Sequence, residues 1–420
     1  MIKYSKTILD NGLKVLVHED KTTPLVAVNV LYDVGAKDEL ATKTGFAHLF
    51  EHLMFGGSKN IKDFDGPIQL AGGDCNAFTN SDLTNFYQVL PAENIETALW
   101  LESDRMLSLD FNQKALDVQR KVVLEEFNET CLNKPYGDAW HELVSLAYKQ
   151  HPYRWPTIGL IPKHIEDATL DDVEKFFFAH YRPNNAILVF SGNIEKEKAV
   201  DLANKWFSEI PPSDILKRNL PIEPKQNGFQ RKITKRNVPI DALYMAFHMP
   251  DRLHHDYYSI DLLSDVLCNG RSSRFYKNLY KEQKIFSSID AYITGNIDPG
   301  LLVIEGRLNE GFTLEYAEQK VWEELEEIKT KGITELELQK YKNKVESTIE
   351  FSEASILNKA INLAFYELIG KIELINTETD LYNKVNIQDV QRLANEILVQ
   401  ENCSELFYKS ETANIDEMAS

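Results

Sequence analysis

The sequence is poor in cysteine, and its four cysteines lie far apart along 420 residues. Cys75, Cys131, Cys268 and Cys403 form no C-x-x-C pair. This spacing indicates neither a cysteine-based zinc site nor a disulfide framework.

Long apolar runs are also missing. No stretch approaches the roughly eighteen apolar residues that a membrane-spanning helix needs. The first six residues lead directly into a strand-like segment and contain no apolar core typical of a signal peptide. We therefore expect a soluble protein without membrane insertion, located in the cytoplasm, or in the periplasm if a longer precursor was processed before residue 1.

Positively charged residues are outnumbered by negatively charged ones. The chain has 46 Lys and Arg residues and 65 Asp and Glu residues, which gives a formal net charge of −19. Such a surface argues against nucleic acids and anionic membranes as partners. It suits neutral or cationic polypeptides, although a solvated acidic surface is the commoner meaning. The hydrophobic content of 43% and the charged content of 26% are globular values, and the length predicts two or more domains.

One stretch, at 45–55, contains His48, Glu51 and His52 in the order H-x-x-E-H. Residues four apart share one face of a helix, so both imidazoles leave the same side. A carboxylate beside them can reach a water on the metal without itself being a ligand. This pattern predicts a metal site. The alternative to a metal site is a pair of histidines that belong to the core, on an otherwise apolar helix. Burying two histidines and a glutamate together without a metal would be costly.

A catalytic zinc site needs a third protein ligand and leaves the fourth position to water. The helical pattern at 117–129 offers three candidates, Glu125, Glu126 and Glu129. Glu126 and Glu129 share a face, whereas Glu125 is rotated by about 100° from Glu126. Periodicity alone does not choose among the three.

The two segments together resemble the inverted-zincin metallopeptidases of the pitrilysin, insulysin and mitochondrial processing peptidase family. That family pairs H-x-x-E-H with a later helix of the form E-R-x-V-V-x-E-E, whose last glutamate binds zinc. When this form is aligned with residues 119–126, the zinc-binding glutamate corresponds to Glu126. Counting the fixed number of residues after His52 that some members have would instead assign this role to Glu129. The local match carries more weight because loop lengths vary. Further segments similar to the family lie at 72–79, 84–87, 151–159 and 181–186.

The resemblance implies a zinc-dependent endopeptidase or oligopeptidase with one zinc per chain. His48, His52 and Glu126 would hold the metal, and Glu51 would act as the general base towards water. The alternative from another functional class is a non-catalytic scaffold or assembly subunit of the same family. A complete set of these four residues speaks against that alternative, because an inactive copy has no chemical need for all of them.

Three further residues acquire expected roles from the resemblance. Asn76 and Ala77 are similar to an edge strand of the family that pairs with an extended peptide substrate. The alternative to a substrate-binding strand is an ordinary strand that follows a Gly-Gly turn. Gln119 stands where many members have a glutamate, seven residues before Glu126. We expect this amide to lie beside the ligands, where the lost charge lowers zinc affinity or rate.

A second departure from the family pattern lies in the C-terminal half. Self-sufficient members place an Arg and a Tyr after a Ser-Ser-Arg helix start, here at 272–274, whereas Tyr280 and Ser287 occupy the corresponding positions. The resemblance therefore implies a heterodimer with a homologous chain that lacks H-x-x-E-H and supplies Arg and Tyr. The alternatives are a homodimer or a monomer in which Arg274 or a lysine does this work.

Strands and helices are mixed, and neighbouring strands often follow one another directly, which predicts an α+β fold. The element order recurs after a proline-rich segment, so we expect two related domains of mixed β-sheet with packed helices, that is, duplicated metallopeptidase-like domains. The expected boundaries are 1–212 for the zinc-bearing domain, 213–228 for the linker and 229–420 for the second domain. Asn11-Gly12 predicts a hairpin turn, and 334–369 reads as one long helix.

Overall fold

The computed structural model describes residues 1–214 and 218–411 of the chain. These residues form two compact units, each assembled from three separate stretches of sequence. Unit 1 comprises Met1–Phe127, Trp155–Pro221 and Ile349–Glu378. Unit 2 comprises Asn128–Arg154, Ile222–Thr348 and Thr379–Ser420.

The regular elements are numbered in chain order. The described residues contain eleven β-strands: β1 Ser5–Ile8, β2 Lys14–Glu19, β3 Leu25–Tyr32, β4 Asp74–Thr79, β5 Thr84–Pro91, β6 Ala186–Gly192, β7 Gln230–Arg236, β8 Ala242–His248, β9 Phe286–Ile293, β10 Leu301–Leu308 and β11 Cys403–Ser410. The same part of the chain contains fourteen α-helices: α1 Phe46–Phe55, α2 Asp65–Leu70, α3 Ile95–Leu107, α4 Gln113–Phe127, α5 Ala139–Ala147, α6 Pro162–Glu166, α7 Leu170–His180, α8 Lys196–Phe207, α9 Tyr257–Cys268, α10 Leu314–Lys331, α11 Glu335–Ser352, α12 Ile356–Leu368, α13 Leu374–Lys384 and α14 Ile387–Ile397. No helix in these described ranges is both long and apolar enough to span a membrane.

The sheet of unit 1 has six strands in the order β1-β2-β6-β3-β5-β4. β1 and β2 form the predicted hairpin around Asn11-Gly12, and Gly12 adopts a positive φ of 88° that favours glycine. β2 and β6 are parallel, and the other neighbours are antiparallel. β4 therefore forms one edge of a mixed sheet.

The sheet of unit 2 has five strands in the order β7-β11-β8-β10-β9. β7 and β11 are parallel, and the remaining pairs are antiparallel. If β1 is set aside, this is the order and orientation of β2-β6-β3-β5-β4 in unit 1. The repeated topology confirms the α+β class and the two related mixed sheets.

Each sheet is covered in part by a helix from a distant stretch of sequence. α12 packs against β3 and β6 of unit 1, whereas α5 packs against β8 and β11 of unit 2. β3 and β6 correspond to β8 and β11 in the shared topology. The compact units are therefore not two continuous halves of the chain, because the segments that contain α5 and α12 belong to the unit of the other half. The domain boundaries at 212 and 229 stay a prediction.

The single helix predicted at 334–369 is wrong, because the chain forms α11 and α12 with a break between them. The Ser355 hydroxyl accepts the backbone N–H of Asn358 at 3.3 Å and caps the start of α12. A serine in this role satisfies a backbone group that a continuous helix would have bonded differently. The break lets α12 join unit 1.

The predicted linker at 213–228 is anchored where it is described, and 215–217 lie outside the described residues. Arg218 forms ion pairs with two aspartates of unit 1 at 2.6–2.7 Å. Glu223 accepts the backbone N–H groups of 149–151 of unit 2 at 2.7–2.9 Å. Successive backbone N–H groups form a concave anion site of this kind.

The position of α1 follows from its apolar residues. Its buried side chains recur at helical spacing and form one stripe that faces the core of unit 1. Phe50, near the middle of the stripe, stacks on Tyr181 at 5.2 Å between ring centroids and also contacts Phe176. Since the stripe fixes the rotation of the helix, His48 and His52 must leave from a different side.

Candidate metal centre

The N-terminus of α1 is fixed by Glu39, a buried residue of the preceding loop. Its two carboxylate oxygens accept the backbone N–H groups of Gly45 at 2.9 Å and Ala47 at 2.8 Å. N–H groups at this end of a helix lack intrahelical partners and need acceptors from outside the helix. Burial raises the pKa of the Glu39 carboxyl to about 8, while the two backbone donors act in the opposite direction.

Position 45, directly before α1, requires a glycine for two reasons. Its φ is +88°, and a Cβ added there would lie 2.8 Å from the carbonyl oxygen of Ile158. A larger residue would displace either the helix start or that neighbouring backbone. The beginning of α1 is therefore determined by backbone geometry as well as by hydrogen bonds.

The structure brings His48, His52 and Glu126 together. Nε2 of His52 lies 3.3 Å from one carboxylate oxygen of Glu126, and Nε2 of His48 lies 3.7 Å from the other. The two imidazole rings are 4.8 Å apart between centroids, in an edge-to-face arrangement. The three candidate ligand atoms all lie within 4.8 Å of one another. The group thus combines two side chains of α1 with one from the last turn of α4.

Of the three glutamates that periodicity left open, Glu126 is the one that meets the histidines. α4 ends at Phe127, and Glu129 lies in the following π-helical turn, Asn128–Leu132. Neither Glu125 nor Glu129 belongs to a metal-compatible group among the described residues.

Glu51 lies beside this group without being part of it. The Thr79 hydroxyl donates a hydrogen bond of 2.6 Å to Oε2 of Glu51. Burial raises the pKa of Glu51, the Thr79 hydroxyl opposes that rise, and the nearby charges of His52 and Glu126 act in opposite directions. The carboxyl is thus close enough to sense both candidate ligands.

The protonation of His48 suits metal binding. Burial lowers its pKa, Glu126 acts to raise it, and His52 acts to lower it further. A lowered pKa favours the neutral imidazole, which is the form that binds a metal.

Two imidazole nitrogens and one carboxylate are the donor set of a catalytic zinc site with an open position. Ligand atoms at about 2.0–2.1 Å from a tetrahedral ion lie about 3.3–3.4 Å apart. The 3.3 Å and 3.7 Å separations seen at Glu126 are close to this spacing. The residues present therefore fit zinc.

A second metal-compatible group, at His254, His255 and Asp256 in unit 2, is less suitable. The guanidinium of Arg392 forms an ion pair with Asp256 at 2.5 Å. A metal ion would have to compete with this cation for the same carboxylate.

Asn76 and Ala77 lie on β4, at the edge of the unit 1 sheet. They pair with Tyr87 and Phe86 of β5, and β4 has no strand on its other side among the described residues. α1 packs against β4, and Thr79, the partner of Glu51, ends the same strand. The predicted substrate strand therefore adjoins the helix that carries the histidines.

Gln119 lies on α4, two turns before Glu126. Its amide makes no hydrogen bond to protein groups in the described residues and instead lines a cavity near Gly56. Among the described residues, no hydrogen bond joins it to His48 or His52. Its expected influence on the ligands stays a prediction.

Sequence reasoning missed two supporting residues, Glu39 and Thr79. Glu39 precedes α1 by several residues, and no spacing rule links it to the helix start. Thr79 ends the segment 72–79 that resembles the family, but its contact with Glu51 depends on how β4 packs against α1. Both are contacts between elements that a single local pattern does not encode.

Two family models match this chain. The insulinase family of peptidases, family M16, matches residues 14–159, and the M16 inactive domain matches residues 167–345. Among curated relatives, a zinc protease named PqqE from Helicobacter pylori is 29% identical over 413 residues, covering 97% of this chain and 93% of the relative. A probable mitochondrial-processing peptidase subunit beta from Schizosaccharomyces pombe is 26% identical over 420 residues, with 94% and 89% covered.

The fold is similar to that of a solved protease from Helicobacter pylori. The TM-score is 0.92 and the sequence identity is 28%. The match covers 97% of this chain and 100% of the other. The likeness thus extends over both sheets described above.

The contact between Thr79 and Glu51 predicts a stability difference in the metal-free protein. Thr79→Val removes the hydroxyl donor and leaves the half-buried carboxyl without it, so we expect a loss of about 1 kcal/mol in the free energy of unfolding. Thr79→Ser keeps the donor and is the matched control. Urea denaturation of both variants measures the difference, and equal losses would contradict a role for the hydrogen bond.

Proposed function

This chain belongs to the insulinase family of peptidases, family M16, and on that premise we propose that it is a zinc-dependent endopeptidase or oligopeptidase. One observation carries the proposal: the Nε2 atoms of His48 and His52 and the carboxylate of Glu126 converge within 4.8 Å. The donor types and their spacing suit one zinc per chain. Glu51 lies beside this group without belonging to it, as a general base must.

Each side chain has a separate task in peptide hydrolysis. When bound, zinc supplies Lewis acidity that polarises a carbonyl and makes water more acidic. His48 and His52 provide neutral nitrogen donors, and Glu126 provides the negative charge. Thr79 occupies Oε2 of Glu51. This hydrogen bond would orient the carboxylate to accept a proton from the attacking water and to deliver it to the leaving amide nitrogen.

The proposed substrate is an extended peptide or an unfolded polypeptide. The edge of β4 at Asn76 and Ala77 would accept such a chain as an additional strand, through backbone hydrogen bonds that tolerate many side chains. The Ala77 N–H, which donates to the Asn76 side-chain oxygen at 2.8 Å, would then donate to the substrate backbone. The net charge of −19 supports a polypeptide rather than a nucleic acid. A location in the cytoplasm, or in the periplasm after processing, stays a prediction.

We further propose that the working enzyme is a heterodimer with a homologous chain that lacks H-x-x-E-H. Tyr280 and Ser287 have no cationic form, so neither supplies positive charge. Tyr280 stacks on Tyr276 at 4.9 Å, and the Ser287 hydroxyl donates to a backbone carbonyl of the neighbouring strand. The partner would contribute an Arg and a Tyr that stabilise the developing oxyanion. The name of one relative, a processing peptidase subunit beta, supports a paired arrangement.

Arg274 is a poor substitute for the missing arginine. Its guanidinium donates to Glu337 at 3.1 and 3.3 Å and to the carbonyl oxygen of Gly332 at 3.0 Å. A cation engaged in this way has few donors left for substrate. These contacts weaken the alternative in which this chain acts alone or as a homodimer.

The second candidate function is a non-catalytic scaffold or assembly subunit. The match of residues 167–345 to a domain described as inactive favours it for that part of the chain. The group formed by His48, Glu51, His52 and Glu126 lies outside that range and is complete. We therefore keep the peptidase as the leading proposal.

The ligand set is tested by zinc analysis. We expect Glu126→Gln to lower zinc affinity strongly, because it removes the only charged ligand of the set, whereas Glu129→Gln should retain one zinc per chain. Competition with a chromogenic chelator measures both affinities. Undiminished zinc in the Glu126 variant together with loss in the Glu129 variant would overturn the assignment.

The general base is tested separately. Glu51→Gln should keep zinc and the fold but lose at least about a hundredfold in turnover, the usual scale of general-base catalysis. Glu197→Gln, at an exposed acid of α8, serves as the control. Near-normal hydrolysis by the Glu51 variant, measured with fluorogenic peptides after exclusion of contaminating proteases, would remove Glu51 from the mechanism.

The heterodimer is tested by reconstitution with a homologous chain that carries the Arg and Tyr. We expect weak hydrolysis by this chain alone and a large rise in kcat on mixing. The same partner with its Arg changed to Ala should bind but not activate. Full activity of the isolated chain, unchanged by the partner, would show that it is self-sufficient.

A further inference from the structure

A cavity of about 300 Å³ lies in unit 1, away from the three candidate metal ligands. Leu53 and Gly56, at the C-terminal end of α1, form one wall, and Ala115 and Gln119 of α4 form another. Val173 of α7 contributes a buried apolar surface. The cavity therefore lies between the two helices that carry the metal ligands.

Three polar side chains of the lining have no partner within the described residues, whereas Ser58 and Asn112 are hydrogen-bonded. The half-buried amide of Gln119 makes no hydrogen bond there, and the exposed side chains of Lys62 and Lys114 form no ion pair. Among the described residues that line the cavity, Asp110 is the acidic one. The two lysines therefore give the lining a net positive charge. This local sign is opposite to that of the whole chain, whose net charge is −19.

The size of the cavity limits the ligand. A volume of 300 Å³ corresponds to roughly ten waters at their share of liquid volume. It is also at the lower end of ligand pockets, which measure about 300–1,000 Å³. A ligand of about ten non-hydrogen atoms would fill it.

We propose that this cavity binds a free medium-chain monocarboxylate, an apolar chain with one anionic head. The chain would contact Phe111, Val118 and Leu170, lining residues that keep exposed apolar surface, and burial of that surface is favourable. The carboxylate would accept hydrogen bonds from the Gln119 amide and from the ammonium groups of Lys62 and Lys114. Octanoate, with ten non-hydrogen atoms, is the probe of matching size.

The ligand would act on the metal centre through the two helices. Gln119 precedes Glu126 by seven residues, about 10 Å along α4, and Gly56 follows His52 by four residues, about 6 Å along α1. A molecule held between these helices contacts both elements whose spacing sets the ligand distances. By linkage, zinc and the carboxylate then change each other's affinity. This consequence rests on the proposed function, whereas carboxylate binding itself does not.

The binding site is tested by calorimetric titration of the full chain with octanoate, using the Glu51→Gln variant so that no hydrolysis interferes. We expect one molecule bound per chain. Gln119→Glu should weaken binding at least about tenfold, because it places a like charge against the carboxylate. The double variant Lys62→Ala with Lys114→Ala should weaken octanoate more than uncharged octanol, whereas Lys196→Ala with Lys198→Ala, on the exposed face of α8, should leave binding unchanged.

Two results would overturn the site. One is no binding of octanoate up to its solubility limit, and the other is binding that is indifferent to Gln119→Glu and to the Lys62 and Lys114 changes. Stronger binding of acetyl-leucine than of octanoate would show that the cavity takes the C-terminal residue of a peptide instead. Ala115→Phe, which fills the cavity, should abolish binding while circular dichroism reports an intact fold.

The effect on the metal centre has its own readout. In the Glu51→Gln variant, saturating octanoate should change the zinc dissociation constant at least about fivefold, the lower end of typical coupling between sites. An unchanged zinc affinity with octanoate bound would overturn the coupling. An inactive wild-type chain that still binds octanoate and zinc would instead count against the proposed peptidase.

Discussion

The packing of α1 against the core of unit 1 is the constraint on which the candidate metal centre depends. The buried stripe of this helix contributes several large apolar side chains, each worth roughly 1.5–3 kcal/mol when removed from water. These side chains are Phe46, Leu49, Phe50, Leu53 and Met54. The stripe offsets the cost of holding two imidazoles and a carboxylate close together in a partly desolvated place. A bound metal cation would reduce that cost, and the arrangement therefore supports a metal site.

The ends of α1 are determined by different interactions from its middle. Glu39 fixes the N-terminus through two backbone N–H groups, and Gly45 permits the left-handed backbone that precedes the first turn. At the other end, Gly56 and the loop after it lie next to the cavity. The helix is thus firmly held at its start, while its C-terminal end adjoins a space that a small molecule can occupy.

Unit 2 repeats the sheet topology of unit 1 without repeating the polar group. α9 follows β8 as α1 follows β3, but its sequence contains neither histidine nor glutamate, and buried residues occupy most of its length. The same strand order therefore supports a helix with two histidines and a glutamate in one unit and a helix without these residues in the other. Fold alone does not decide the chemistry, because the chemistry depends on which side chains leave the helix.

By itself, the sequence was sufficient to predict the α+β class, the duplication and the helix that carries His48 and His52, because these features depend on local spacing and on the order of elements. It narrowed the third ligand to three glutamates, and the resemblance to a known family favoured Glu126. Only the tertiary structure brought Glu126 to the histidines, joined Thr79 to Glu51 and placed the Gln119 amide at a cavity. It also broke the helix predicted at 334–369 and assigned α5 and α12 to sheets distant from them in sequence. These outcomes depend on packing between elements far apart along the chain, and no periodicity within one element encodes such contacts.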